Sequence, residues 1–191
     1  MEDGVLAKCT TYEALSAFIW RTRTQALRLQ PHQQTRFSLP VNGRSRLDPP
    51  LPERYFGSCV VYGSSLCSVD NLVKNSYSFA VGLIQDAIKM VTNDYIRSAI
   101  VYVEMTRAKL TSPTLIDLKI ISWTGLSFHT TDFGWGRPVF ASRASLPVQG
   151  VAHFISDMKE EEKERNGINV LLGLPASSMK NFQELLSPHL E

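Results

Sequence analysis

The feature that most constrains the fold of this chain is a change in hydrophobic period along its length. In several segments apolar residues recur three and four positions apart, which is typical of amphipathic helices. In others, most of them in the second half, short apolar runs are separated by turn-forming residues, which is typical of strands. A chain that contains both kinds of segment favours the α/β fold class.

Local signals place the predicted elements. Thr10 and Glu13 form a capping box, and Pro31 stops the helix that follows, predicted over residues 11–29. Further helices are predicted after Ser68, after Ser76, after Asn93 or Asp94, and over residues 175–186. Their core-facing stripes are predicted to be Phe79, Leu83, Ala87 and Met90, then Ile96, Ile100 and Val103. Strands are predicted over residues 35–41, 59–66, 115–123, 139–141, 151–156 and 168–174.

Composition narrows the classes of partner. The 191 residues are 43% hydrophobic and 20% charged, with a net charge of only +2. Such a chain is globular, and no basic stripe indicates a nucleic acid or an anionic membrane. The apolar runs are shorter than the roughly 20 residues that cross a bilayer, and the acidic first residues predict no signal peptide. Small molecules or proteins are therefore the expected partners.

The cysteines indicate a compartment. Cys9, Cys59 and Cys67 form neither an even set nor a C-x-x-C pair. This pattern predicts free thiols in a reducing environment. The expected localisation is therefore cytoplasmic.

One run of uncommon residues carries a family resemblance. Asp132, Phe133, Gly134, Trp135 and Gly136 are consecutive, and R-P-V follows them. This run resembles the D-F-G-W-G signature of the BAHD acyl-CoA-dependent acyltransferases. Further similar segments occur in the order of that family: C-T-T-Y-E-A-L at 9–15, N-G-R-S-R at 42–46, P-L-P at 50–52 and Y-F-G at 55–57.

Two more segments narrow the resemblance. D-A-I-K-M-V at 86–91 and L-S-F-H-T-T at 126–131 are most similar to enzymes that move feruloyl groups onto ω-hydroxy fatty acids or fatty alcohols. The resemblance thus implies transfer of a hydroxycinnamoyl (feruloyl) group from CoA to the hydroxyl of a long-chain ω-hydroxy acid or fatty alcohol. Acyl-CoA is then a co-substrate, and no bound cofactor or metal is implied.

The resemblance also implies an architecture. Family members have two similar lobes around a channel, in the chloramphenicol acetyltransferase-like fold, and residues 1–191 correspond to the C-terminal lobe, a mixed sheet with flanking helices. The histidine base of the family's H-x-x-x-D-G motif belongs to the first lobe. We therefore expect this chain to be inactive alone. We also expect an exposed apolar face, and self-association through it.

Trp123 is the residue of this lobe to which the resemblance assigns chemistry. The family often has Thr-Ser-Trp there, with a hydroxyl and an indole N–H near the oxyanion of the reaction, but this chain has Ile121 at the threonine position. Gly125 likewise stands where a basic residue is common. Trp123 is thus a candidate oxyanion donor, and a core tryptophan on a buried strand is an equally good interpretation.

The D-F-G-W-G segment is expected to be architectural. Its glycines permit backbone angles closed to other residues, and Trp135 offers a large apolar anchor. We predict that Asp132 forms an ion pair with Arg44. Phe128 and His129 are candidates for the substrate pocket.

One string imitates a catalytic motif. His153 and Asp157 have H-x-x-x-D spacing, but on a strand side chains four apart lie about 13 Å from each other, so Asp157 cannot orient His153. Met158 also stands where the family motif has glycine. A structural or surface role for His153 is expected.

Three functional hypotheses remain open from the sequence. The chain is part of an acyltransferase, a non-catalytic fragment that binds acyl-CoA or docks on a relative, or a nonfunctional gene product. An assay of feruloyl transfer from feruloyl-CoA to a long-chain alcohol separates the first hypothesis from the others.

Overall fold

The fold is a five-stranded mixed sheet with helices packed against one side. The computed structural model describes residues 8–107, 114, 116–145, 148–157 and 167–189. The helices are α1 (Thr11–Ala26), α2 (Val69–Lys74), α3 (Tyr77–Lys89), α4 (Asn93–Thr106) and α5 (Ala176–Leu186). The strands are β1 (Gln34–Asn42), β2 (Val60–Ser68), β3 (Asp117–Ser122), β4 (Val151–Ser156) and β5 (Ile168–Leu172).

The capping box predicted for α1 is present. The backbone N–H of Glu13 donates to Thr10 Oγ1 at 3.2 Å, and the backbone N–H of Thr10 donates to Glu13 Oε2 at 2.9 Å. Ser68 caps α2 in a similar way, because its hydroxyl accepts from the backbone N–H of Asn71. These side chains satisfy N–H groups that a helix leaves free at its start.

The sheet has the strand order β2-β1-β3-β4-β5. β1 runs parallel to β3, and β3 runs parallel to β4, whereas the outer strands β2 and β5 are antiparallel to their neighbours. The mixed sheet with flanking helices implied by the resemblance is therefore confirmed. The register places Ile121 opposite His153 on adjacent strands.

The two faces of the sheet have different coverings. On one face, here called the covered face, Phe37, Leu118 and Phe154 are completely buried in a core shared with α1, α3 and α5. The other face, called the open face, is defined by Arg36, Ser38, Lys119, Ile121 and His153. Near His153 the open face is covered by the irregular segment 140–145.

Four details of the prediction differ from the structure. α3 buries Ala80, Val81, Ile84 and Ala87, so its core stripe is rotated from the predicted one, and Met90 is 51% exposed. α4 buries Ile96 alone among its described residues, and Ile100 and Val103 stay exposed. Thr92, rather than Asn93 or Asp94, caps α4. Residues 139–141 form no strand, since they pair with no described strand and Val139 is 92% exposed.

Candidate functional site

Trp123 lies at the end of β3, where its side chain reaches the open face. Its backbone N–H donates to the Phe154 carbonyl at 2.8 Å. Its ring makes edge contacts with Phe128 at 5.6 Å and with His153 at 5.9 Å between centroids. The indole Nε1–H makes no hydrogen bond to any described residue, and the side chain is only half-buried. Trp123 thus has a donor that a ligand could use.

The hydroxyl groups near Trp123 point away from the open face. Ser122 Oγ lies 2.8 Å from Thr124 Oγ1, and Ser156 Oγ donates to the Thr124 carbonyl at 3.3 Å. Ser122 also lines a cavity with Tyr12 and Leu39, whose side chains pack on the covered face. Because neighbours on a strand alternate in direction, the open face at this level carries Ile121, which has no donor.

His153 is buried in the middle of β4 and has no carboxylate neighbour among the described residues. Its side chain is 4% exposed, and its Nε2 lies 3.4 Å from Arg143 Nη1. Burial lowers the pKa of His153, and the positive charge of Arg143 lowers it further. His153 Nδ1 is buried without a hydrogen-bond partner. Asp157 does not orient this ring, in agreement with the expectation that the H-x-x-x-D string is not catalytic.

The D-F-G-W-G segment forms a tight loop around the carboxylate of Asp132. Asp132 Oδ1 accepts from the backbone N–H of Gly134 at 2.7 Å and of Gly136 at 3.0 Å. Both glycines have positive φ, 96° and 100°, which other residues rarely adopt. The two backbone N–H groups lower the pKa of Asp132. The predicted need for glycine is confirmed.

Two predictions about this loop are wrong. Asp132 forms no ion pair with Arg44 within the described ranges, because the loop's own N–H groups bind the carboxylate and Arg44 Nη2 donates to the Gly57 carbonyl at 2.7 Å. Trp135 is not an anchor here either, since it is 95% exposed and Phe133 is 83% exposed. The loop is held by backbone hydrogen bonds rather than by buried side chains.

Phe128 and His129 lie in a short 3₁₀ helix, Ser127–Thr130, next to Trp123. Phe128 packs its ring edge-on against Trp123 and is 43% exposed. The side chain of His129 lies outside the described residues. The placement of Phe128 keeps it a candidate for the wall of a pocket.

Arg143 is the residue of this region that sequence reasoning missed. It lies in an irregular segment between Ser142 and Ala144, and no motif or spacing marks it. Its place against His153 depends on how residues 140–145 cross the open face. Only the three-dimensional structure brings these two residues together.

The described residues contain neither a metal-binding cluster nor a membrane-spanning helix. No group of three or more histidine, cysteine and acidic side chains is arranged to hold a metal ion. No helix in that part of the chain combines the length and the apolar character needed to cross a bilayer.

Comparison with known proteins identifies relatives along nearly the whole sequence. A model of the Transferase family matches residues 2–187. The chain is 48% identical to Omega-hydroxypalmitate O-feruloyl transferase of Arabidopsis thaliana, over 92% of this chain and 37% of the relative. It is 42% identical to Fatty alcohol:caffeoyl-CoA acyltransferase of the same plant, over 94% and 41%. The chain therefore spans about two fifths of the length of these relatives.

Solved structures share the fold at low sequence identity. TRI101 of F. graminearum, in complex with coenzyme A and deoxynivalenol, superposes with a TM-score of 0.79 at 18% identity, covering 96% of this chain and 42% of that one. Vinorine synthase gives a TM-score of 0.70 at 20% identity, over 95% and 42%. These structures show the fold, and the family match over residues 2–187 with the identity to the plant relatives shows that the chain belongs to the Transferase family, the BAHD acyl-CoA-dependent acyltransferases.

Proposed function

We propose that this chain forms the C-terminal lobe of an enzyme that transfers a feruloyl or related hydroxycinnamoyl group from CoA to the hydroxyl of a long-chain ω-hydroxy acid or fatty alcohol. The observation that carries the proposal is the 48% and 42% identity to two transferases named for such acceptors. Identity to Shikimate O-hydroxycinnamoyltransferase of Nicotiana tabacum is only 30%. This difference favours a long aliphatic acceptor, and the expected site of action is the cytoplasm.

The open face is one wall of the proposed transfer site. When the acceptor oxygen attacks the thioester carbonyl, that carbonyl oxygen becomes an oxyanion, and the coenzyme A thiolate leaves as the tetrahedral intermediate collapses. An N–H donor held in place before the reaction stabilises this charge. The Nε1–H of Trp123 is the proposed donor, because it is fixed by two ring contacts and has no described partner.

The base is proposed to come from residues outside this sequence. The buried His153 contacts an arginine instead of a carboxylate, so its environment disfavours the protonated form that a base must reach. Phe128 and His129 are proposed to line the pocket beside Trp123. The Asp132 loop, with Phe133, Gly134, Trp135 and Gly136, is proposed to have a structural role.

A second candidate function is that of a non-catalytic interaction fragment. Several large apolar side chains are almost fully exposed: Phe56, Met105, Phe133, Trp135 and Val139. Exposed apolar groups are typical of surfaces that bind another protein where they form one contiguous patch. Self-association of the isolated chain remains a prediction that sedimentation at several concentrations would test.

The proposed function is tested by joining this chain to an N-terminal lobe of a relative. The N-terminal portion of the Arabidopsis feruloyl transferase is fused before this chain, and transfer from feruloyl-CoA to 16-hydroxyhexadecanoic acid is measured. We expect turnover by the fusion and none by the chain alone. Trp123→Phe in the fusion should lower kcat by roughly 10²–10³, the usual cost of removing one oxyanion donor.

Trp135→Phe is the matched control and should leave kcat unchanged, because Trp135 is exposed. A folded fusion without transfer activity would refute the proposed reaction. An unchanged kcat in Trp123→Phe would refute the role of Trp123 alone. Turnover by the unfused chain would refute the proposed origin of the base.

A further inference from the structure

A cavity of about 320 Å³ lies between segment 140–145 and strands β4 and β5. Its wall includes Phe140, Ser142, Arg143, Ser145, His153 and Leu171. The wall thus combines apolar surface with hydroxyl, guanidinium and imidazole groups. No carboxylate belongs to the described lining.

Arg143 supplies the positive charge of this cavity, and neutral groups hold it in place. Its Nε donates to Ser145 Oγ at 2.8 Å, and its Nη1 lies 3.4 Å from His153 Nε2. In the part of the chain that the structure describes, Arg143 forms no ion pair. A guanidinium has five N–H donors, so most of them remain available to a ligand.

His153 adds a polar ring to the wall of the cavity without adding charge. Because a guanidinium only donates, Nε2 must accept from Arg143, which assigns the ring proton to Nδ1. The lowered pKa of His153 keeps the ring neutral at physiological pH. The Nδ1–H is buried and has no acceptor among the described residues, so it lies out of reach of a ligand in the cavity. The donors offered to a ligand are therefore those of Arg143.

We infer that this cavity binds the carboxylate of an amphiphilic acid, with its carboxylate on Arg143 and its apolar body against Phe140 and Leu171. The planar guanidinium matches the two oxygens of a carboxylate, and the apolar walls match a hydrocarbon or aromatic body. The inference adds a carboxylate-binding subsite to the proposed function. It rests on that function only for the identity of the acid. It selects the ω-hydroxy acid over the fatty alcohol, since the alcohol has no anion.

Calorimetric titration of the purified chain tests this site without any turnover. Three probes are used: a twelve-carbon ω-hydroxy acid, the diol of the same length, and coenzyme A as a source of phosphate. The wild-type chain should bind the acid more tightly than the diol. Arg143→Gln should weaken acid binding by about tenfold or more and leave diol binding unchanged, because only the charged contact is lost.

Arg54→Gln is the matched control, because Arg54 is exposed and its substitution removes the same charge at another position. Its acid affinity should equal that of the wild type. Equal affinity of the wild-type chain for acid and diol, or no saturable acid binding, would overturn the inference, and this comparison needs no variant. Arg143-dependent binding of coenzyme A without binding of the acid would assign the site to phosphate and also overturn it. Because no acyl donor is present, failure of transfer in the fusion enzyme leaves these outcomes unaffected.

Discussion

The covered face of the sheet carries Phe37, Leu118 and Phe154 beneath three helices, whereas the open face carries Lys119 and Ile121, which are half-buried, and His153, which lies beneath segment 140–145. Completely buried apolar groups dominate the first face. The second holds charged and hydrogen-bonding groups, such as Lys119, whose ammonium lies 4.2 Å from the Tyr62 ring centroid. The core thus lies on one side of the strands, and the proposed ligand binding is on the other.

Two tryptophans show what this separation means for one residue type. Trp20, on α1, is fully buried against Phe37, and its Nε1–H donates to Thr35 Oγ1 at 3.0 Å. Trp123 is half-buried, and its Nε1–H is free of described partners. The Nε1–H of Trp20 is hydrogen-bonded within the core, whereas that of Trp123 is the proposed donor to a ligand. The two tryptophans are the same residue type, so their different roles follow from the elements packed over them.

The largest effect expected from this comparison is on stability. Trp20→Ala should lower the free energy of unfolding by about 3–5 kcal/mol, because it leaves a large cavity and removes the buried hydrogen bond to the Thr35 hydroxyl. Trp135→Ala, on an exposed loop, should change it by no more than about 0.5 kcal/mol. Urea denaturation followed by circular dichroism measures both. Similar losses for the two variants would contradict the assignment of the core to the covered face.

A smaller effect is expected at two glycines, one packed against α3 and one in the turn after Trp123. A Cβ added at Gly63 of β2 would lie 2.5 Å from the backbone oxygen of Ala87, so α3 would have to move. Gly63→Ala should therefore cost about 1–3 kcal/mol. At Gly125, after Trp123, an added Cβ meets nothing within 4 Å, and Gly125→Ala should be nearly neutral. The same urea experiment checks both, and a neutral Gly63→Ala would show that the helix packing is looser than described.

Much of the fold could be predicted from sequence where a signal is local. The capping box of α1 and the apolar runs of β4 and β5 depend on neighbouring residues, and each lies within a few residues of its predicted position. The phase of α3 could not be read in this way. Its apolar residues surround much of the helix, so contacts with α1 and β2 decide which of them are buried.

The candidate site was less predictable, because it depends on contacts between distant segments. The resemblance indicated Trp123, but only the register of β3 and β4 places it beside His153. The same limit explains the wrong Asp132–Arg44 pair. An aspartate carboxylate can bind local N–H groups or a distant arginine, and the sequence does not rank these partners.

The smallest expected effect concerns protonation of His153, the buried titratable group on the open face. Among the described residues, the groups that face it are Arg143 from segment 140–145, Trp123 from the end of β3 and the cross-strand residues Ile121 and Leu171, none of which carries a negative charge. Its pKa in the folded chain is therefore below the ordinary value of 6.5, whereas the unfolded chain takes up the proton near that value. The unfolded state then binds more protons as the pH falls below 6.5, so this group makes the chain less stable in acid and has no effect well above that pH.

The variant His153→Phe keeps an aromatic ring against Trp123 and tests this pH dependence. Its melting temperature should fall less than that of the wild type when the pH is lowered from 7.5 to 5.5. If the melting temperatures of the two proteins fall equally with pH over that range, His153 is protonated in the folded chain, and Arg143 does not lie against it as described.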